Sequence, residues 1–273
     1  MVKKELKRKS KSNGALTSVG AIIWRLKATI IIALVLIAAY FFFSQGNLFI
    51  ETSTLLSRGF SVGNPFNIIS YMLVHMSIWH LMVNVVSLVL FATIVELALS
   101  SRDVVGIFLF SAVLTVVFFS VFNPGIALIG ASAGVWGIMA SSFILNAKRA
   151  VAALAIVVAL FLFLFPAAAI IVQEYETAML QKNTELETAL TTAVETGNTE
   201  RAAVIAVEKS EAEAELKEFS QSKQLAAETI IDPFLHSYAA IFGIAYLFIF
   251  RRKETEKCVR KQKLFGFFHK TKN

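Results

Sequence analysis

Long apolar runs constrain the fold of this chain more than any other feature of its sequence. A helix that crosses a bilayer needs about 20 mostly apolar residues, with a range of roughly 17–25. Hydrophobic residues make up 56% of the chain, which exceeds the roughly 45–50% typical of soluble domains. We therefore predict an all-α membrane protein. Six segments are candidate spans, the first and the fourth being slightly short: 28–43, 77–98, 104–122, 132–147, 151–172 and 233–250.

Basic residues are distributed unevenly between the two ends of these segments. The tails 1–27 and 251–273, with the connections near Arg102 and Lys148-Arg149, carry 20 of the 26 Lys and Arg residues. Cytoplasmic loops of membrane proteins are enriched in these residues, so we expect both termini in the cytoplasm. No cleavage site of a signal peptide follows the first apolar run, which favours a prokaryotic plasma membrane. Beside a membrane, basic tails favour anionic lipids as partners over nucleic acid.

The segment 173–232 differs from the rest of the chain in charge. It carries 13 acidic and five basic residues. Its apolar residues recur at helical spacing, and Gly197-Asn198 interrupts the pattern near the middle. Ala, Glu and Leu dominate the segment and favour helix. We predict a helical hairpin outside the membrane, and an acidic linker without fixed structure is the alternative.

The predicted organisation therefore has five parts. Two of them are the basic tails, and the acidic insertion separates the sixth span from the first five. The single cysteine, Cys258, excludes an internal disulfide. In chain order the parts are the tail 1–27, the first five transmembrane helices 28–172, the insertion 173–232, the sixth transmembrane helix 233–250 and the tail 251–273.

Three of the predicted spans carry rare polar residues near one end. His80 and Asn84 are four residues apart and share one face of the second span. Ser132 begins the fourth span within the stretch GASAGVWG, and His236 lies about one turn into the sixth. With both tails in the cytoplasm, these spans all begin at the outer face, so we expect the four side chains at one depth. Polar groups at that depth are costly unless partnered, and they usually point into the bundle.

These residue types suit acyl transfer. A serine hydroxyl is a weak nucleophile and needs an adjacent base, for which His236 is the candidate. No acidic residue falls at this depth, so we predict a dyad of Ser132 and His236 and not a triad. Asn84, His80 and the backbone N–H of Ser132 are candidate donors for an oxyanion. Trp136, one turn below Ser132, is placed to pack against the His236 ring.

Structural roles explain the same residues without any chemistry. A serine among glycines lets helices approach closely, and polar side chains can join helices by hydrogen bonds. Gly130-x3-Gly134 and Ala239-x3-Gly243 are packing motifs under either interpretation. A soluble lipase would need a strand before the serine, and a transporter more often shows repeated halves or broken helices. A non-enzymatic protein that binds or transports therefore stays the alternative class.

Taken together, these motifs resemble the rhomboid intramembrane serine proteases. Glu96 followed by Ser100-Ser101-Arg102 also resembles the family's turn after the second helix. The resemblance covers about 65–147 and 233–250. Three pieces match in order and spacing: H-x4-H-x3-N (His75, His80, Asn84), G-x-S with a later glycine (Gly130, Ser132, Gly137), and H-x6-G (His236, Gly243).

The resemblance implies a six-helix transmembrane bundle whose water-filled cavity opens to the outside. It implies Ser132 as the nucleophile, His236 as the general base, His80 and Asn84 in the oxyanion hole, and His75 as a structural hydrogen-bonding residue. Trp136 occupies a position that is usually Tyr or Phe. Substrates would be single-span membrane proteins cut near the outer membrane boundary. No cofactor, metal or nucleotide is implied.

The chain departs from the family pattern at three places. Ala133 follows the serine where glycine is common, and Phe66-Asn67 stands where the family often has Trp-Arg. The third departure is the acidic stretch 173–232, because the link between the last two spans is normally short. It lies where the family caps its active site and admits substrate. We therefore expect this insertion to restrict or select substrates.

Overall fold

The described part of this computed structural model is almost entirely helical. It covers residues 24–47, 49–50, 54, 59–61, 63, 65–123, 128–229 and 233–270. Within these residues there are no strands, only two isolated bridges, and two short 3-10 helices, Pro65–Asn67 and Ser70–Leu73. The α-helices there are α1 (Lys27–Ser44), α2 (Ile78–Ala98), α3 (Ser101–Phe122), α4 (Ser132–Glu195), α5 (Thr199–Thr229), α6 (Pro233–Phe250) and α7 (Arg252–Lys270).

Length and composition allow several of these helices to cross a membrane. Four of the described helices, α1 to α4, are long and apolar enough, and α6 contains a shorter apolar stretch, Leu235–Phe250. This confirms the prediction of an all-α membrane protein with several apolar helices. The count of six spans, the cytoplasmic tails and the placement of the insertion outside the membrane stay predictions. Most of the N-terminal tail, 1–23, lies outside the described residues.

Helix α4 contains the predicted fourth and fifth spans and then continues to Glu195. Asn146 has non-helical backbone angles, φ −156° and ψ 81°, and divides the helix into a first arm, 132–145, and a second arm, 147–195. The break occupies this one residue, whereas the sequence predicted a connection two residues later, over 148–150. Pro166 lies inside the second arm without ending it, since a membrane helix tolerates proline when neighbours satisfy the freed groups.

The two arms run in opposite directions along α2. The first arm starts beside the loop that precedes α2, where the N–H of Ala131 donates to His75. The residues around Asn146 lie beside the last turn of α2, lining a cavity with Leu97. The second arm returns to the first turn of α2, where Ala168 lines a groove with Trp79. The chain therefore reverses direction at Asn146.

Serine caps set where α2 and α3 begin. The hydroxyl of Ser77 accepts a hydrogen bond from the N–H of His80, and that of Ser100 accepts one from Asp103. Such caps satisfy backbone donors that have no partner within the first turn of a helix. The cap at Ser77 places His80 and Asn84 in the first two turns of α2, at the same end as the start of α4.

The second arm of α4 and α5 form two antiparallel helices over 173–229, where the sequence predicts a hairpin. Thr196, Gly197 and Asn198 join them, and Gly197 has φ +68°, a left-handed conformation that suits glycine. Ion pairs cross between the helices, from Lys182 to Glu215 and from Lys209 to Glu187. Residues 230–232, including Asp232, lie outside the described residues.

Candidate functional site

Helices α4 and α6 cross backbone against backbone at small residues. A Cβ atom added to Gly243 would collide with the backbone of Gly137, and one added to Gly137 would lie 3.2 Å from the carbonyl oxygen of Ala239. One turn further along, the hydroxyl of Ser141 donates to the carbonyl of Gly243 at 3.0 Å. Small residues allow this close approach between membrane helices. The Gly137, Ala239 and Gly243 positions therefore hold the two helices at a fixed separation.

This crossing brings the starts of the two helices to one depth. Ser132 is the first residue of α4 and lies five residues before Gly137. Gly137 meets α6 between Ala239 and Gly243, which is about five residues after His236. At a rise of 1.5 Å per residue, the Cα atom of each residue lies about 7.5 Å from the crossing along its helix axis. The expectation that these two residues share a depth agrees with this arrangement.

Trp136 joins the two helices above the crossing. Its ring stacks on the imidazole of His236 with centroids 5.0 Å apart and planes 24° from parallel. Trp136 is one turn below Ser132 on the same arm, so the tryptophan orients the imidazole at the end of α6 that faces the start of α4. The contact expected from the sequence is present.

His75 and His80 lie beside the segment that leads into Ser132. The N–H of Ala131 donates to Nε2 of His75 at 3.4 Å. Gly130 has φ +93°, and a Cβ atom there would lie 2.7 Å from Cε1 of His80. Glycine is required at this position because its backbone is in a left-handed conformation and because the imidazole leaves no room for a side chain. The segment Gly130–Ser132 thus passes directly over the two histidine rings, whose centroids are 5.2 Å apart.

Asn84 is buried one turn further into α2. Its side-chain amide donates to the carbonyl oxygen of His80 at 2.9 Å, which places it at the site end of the helix. Here it contacts its own helix, and its role as an oxyanion donor stays a prediction.

The histidines form one electrostatic cluster. His80 lies within Coulombic range of both His75 and His236. Burial, and then the neighbouring His80, hold the pKa of His75 well below its ordinary value. A neutral His75 fits its role as acceptor from Ala131. The Nδ1 atom of His80 is buried without a hydrogen-bond partner among the described residues, and such a group is a candidate contact for a bound ligand.

Two buried carboxylates are engaged far from this cluster. Glu96, in the last turn of α2, accepts from the backbone N–H groups of Ala28 and Thr29 and from the Thr29 hydroxyl. Asp103, at the start of α3, accepts from Arg251. Both lie at the opposite end of the helices, and the dyad of Ser132 and His236 stays a prediction.

Two contributors to the site geometry were not among the predicted residues. Ser111 of α3 packs against Gly137, behind the crossing. The backbone carbonyl of Tyr71 accepts from the N–H of Gly130, and the Tyr71 hydroxyl donates to Ala112 of α3. Neither has a local sequence signal, because each acts through a partner far away in the chain.

The apolar helices indicate a multi-pass membrane protein. At one end of them, the serine that begins α4 lies at the depth of a stacked imidazole on α6. The family model described as Rhomboid domain matches residues 62–181. This match confirms the predicted resemblance to the rhomboid family over this part of the chain. It includes His75, His80, Asn84 and Ser132 and ends before α6, which carries His236. Comparisons with curated proteins and with solved structures found no match.

Proposed function

We propose that this chain is an intramembrane serine endopeptidase that cuts single-span membrane proteins in or next to their transmembrane segment. Ser132 is the nucleophile and His236 the general base, with His80 and Asn84 stabilising the oxyanion. The observation that carries the proposal is the stacking of Trp136 on His236 at the depth of Ser132. A merely structural serine needs no oriented base across the helix crossing.

The wall between α2 and the second arm of α4 supports a membrane-embedded substrate. The described residues that line a groove there are all apolar, and the groove runs from Trp79 and Ala168 at one end to Val86 and Val157 at the other. Its upper end lies at the first turn of α2, which also carries His80. A substrate helix in the membrane could insert apolar side chains into such a groove, with its end near the first turn of α2. The proposed orientation has this end outside the cell and both termini in the cytoplasm.

The rhomboid family also includes members without activity, so the alternative is a non-catalytic protein that binds membrane helices or transports a ligand. The apolar groove would suit helix binding as well as cleavage. The presence of both Ser132 and His236 favours the enzyme, because binding alone requires neither residue.

Cleavage of a single-span reporter in liposomes tests the proposal. We expect the unmodified chain to cut, and Ser132→Ala and His236→Ala each to lose at least about a thousandfold in rate. Ser142→Ala is the matched control, since the described partner of that hydroxyl is the carbonyl of Met139 within its own helix. A serine-reactive fluorophosphonate should label the unmodified chain and not the Ser132→Ala variant. If Ser132→Ala cuts as fast as Ser142→Ala, the proposal is wrong.

We also propose that the insertion 173–232 restricts which substrates reach the site. Phe219 of α5 packs edge-on against Phe49, with centroids 5.3 Å apart. Phe49 pairs with Ser77, the cap of α2, and the next residue, Ile50, donates to the carbonyl of Met76. The insertion therefore contacts the segment that pairs with the residues just before α2.

Deletion of 176–229 with a short Gly/Ser bridge tests this role. We expect the shortened chain to cut a wider panel of single-span reporters than the full chain. Unchanged rates across the whole panel would remove the role assigned to the insertion without affecting the catalytic proposal.

A further inference from the structure

A cavity of about 700 Å³ opens at the end of the helices opposite the candidate site. Three basic residues line it, two from the start of the second arm of α4 and one from α7: Lys148, Arg149 and Lys261. Apolar side chains from the last turns of α2 and of the first arm line one wall, Ile94, Leu97 and Leu145, and the polar side chains of Asn146 and Gln262 are also part of the lining. The cavity thus combines a cationic rim with an apolar wall.

Specific hydrogen bonds build this cavity. The side chain of Gln262 in α7 donates to the carbonyl of Ile144 at 3.0 Å and accepts from the N–H of Ala147 at 3.1 Å. The side chain of Asn146 accepts from the N–H of Arg149 and caps the second arm. Because Gln262 binds both sides of the reversal at Asn146, α7 is held against the turn that carries two of the three cations.

The three cations have no carboxylate partner among the described residues, and three carboxylates near this end of the helices are already bound. Glu96 accepts from the start of α1, and Asp103 pairs with Arg251. Glu256 of α7 pairs with Arg252 and Arg260. The cavity therefore concentrates positive charge that the described part of the protein does not neutralise, and an external anion is the natural counter-charge.

We propose that this cavity binds the phosphate-bearing headgroup of an anionic phospholipid, with an acyl chain against Ile94 and Leu97. Basic pockets at the ends of transmembrane helices suit such headgroups. The apolar wall favours a lipid over a free anion, because it offers nothing to a small phosphate ion. Leu97 is 45% exposed and lies on the α2 surface that an acyl chain would cover. The proposal is independent of the catalytic one.

Native mass spectrometry of the full-length protein in detergent, titrated with phosphatidylglycerol and with phosphatidylcholine, tests the site. The test variant carries Lys148→Ala, Arg149→Ala and Lys261→Ala. The control carries Arg25→Ala, Lys253→Ala and Lys257→Ala, which removes the same charge from exposed positions near the same end but outside the cavity. At about fivefold per cation, we expect the test variant to bind phosphatidylglycerol roughly a hundredfold more weakly. The control should keep its affinity.

Three results would overturn the proposal. An equal loss in both triple variants would show that total surface charge, and not the cavity, binds the lipid. Phosphatidylcholine binding as tightly as phosphatidylglycerol would exclude an anionic headgroup as the determinant. Inorganic phosphate displacing the lipid at equal concentration would indicate a free-anion site. Should the triple variant not fold, Lys261→Glu alone, on the exposed side of α7, must still weaken phosphatidylglycerol binding more than Lys257→Glu.

Discussion

The crossing of α4 with α6 and the antiparallel pair over 173–229 are held together by opposite kinds of contact. At the crossing, Gly137 and Gly243 bring the backbones together with no side chain between them. In the antiparallel pair, long charged side chains meet at 3.8–3.9 Å. The aromatic ring of Phe219, which is buried, holds the pair against Tyr175 and Phe49.

The difference follows from the proposed solvent of each region. Lipid provides no hydrophobic force between apolar helices, so close packing of small residues must hold them together. In water, burial of an aromatic ring is itself favourable, and the remaining surface can carry charge. The crossing therefore tolerates no added atom, whereas the hairpin tolerates most surface changes. The residues that set the distance between Ser132 and His236 all belong to the intolerant region.

The largest effect is expected from one methyl group at the crossing. Gly243→Ala places a Cβ atom against the backbone of Gly137, which cannot rotate away. We expect a loss of about 3 kcal/mol in unfolding free energy and loss of reporter cleavage, because the helices that carry Ser132 and His236 must separate. Thermal unfolding in detergent measures the first effect.

Gly106→Ala is the matched control for this change. The atoms nearest to its Cβ atom would all belong to the side chain of Tyr246 and not to a helix backbone, so one ring and not a whole helix has to shift. Both variants gain the same helix propensity of about 1 kcal/mol. Equal stability of the two variants would show that the crossing is looser than its backbone contacts indicate.

The second prediction concerns a buried carboxylate of the bundle. Glu96 accepts three hydrogen bonds from Ala28 and Thr29 at the start of α1. Glu96→Gln removes the charge and turns one acceptor into a donor that faces donors. We expect a loss of about 2 kcal/mol, seen as a lower unfolding temperature of the bundle. Gln181→Ala in the hairpin, which removes a bond to exposed Glu185, should leave that temperature unchanged, and a similar drop in both would contradict the assignment.

Much of the bundle could be predicted from local sequence. Apolar length indicated the positions of α1, α2, α3 and α6, and the spacing of polar residues predicted that His80, Ser132 and His236 gather at one end. The stacking of Trp136 on His236 followed from one helical turn and a shared depth. These features depend on helix periodicity and on membrane thickness, which are properties of a short stretch of chain.

The reversal at Asn146 could not be predicted in detail. The sequence around it, Asn146-Ala147-Lys148-Arg149, contains neither glycine nor proline, and asparagine as a cap residue is a weak signal inside an apolar run. Beside the local bond from Arg149 to Asn146, the hydrogen bonds that hold the turn involve Gln262, more than a hundred residues later. The contact of Phe219 with Phe49 has the same character. Contacts of this kind depend on the assembled fold, and residue spacing within one segment does not report them.

A smaller effect is expected from the aromatic contacts of Phe219 in the hairpin. Phe219→Leu keeps most of the apolar volume but removes the aromatic contacts with Phe49 and Tyr175. We expect about 1 kcal/mol less protection of the hairpin against local opening, read by hydrogen exchange of peptides from α5. The bundle helices α2 and α3 should exchange as before. Val207→Ala, at an exposed position, is the control, and faster exchange in α3 for Phe219→Leu would mean that the two regions are not separable.

The smallest effect is expected at the charged face of the hairpin. Lys209 pairs with Glu187 across the two helices and with Glu213 within α5, and both carboxylates are largely exposed. Exposed ion pairs contribute little because water and salt screen them, so Lys209→Ala should cost less than about 0.5 kcal/mol of protection. Lys217→Ala, on an exposed side chain of the same helix, corrects for the lost charge. The assignment would be reversed if Lys209→Ala cost more than Phe219→Leu and if this cost fell with added salt. Charge, and not aromatic burial, would then be the interaction that holds the hairpin.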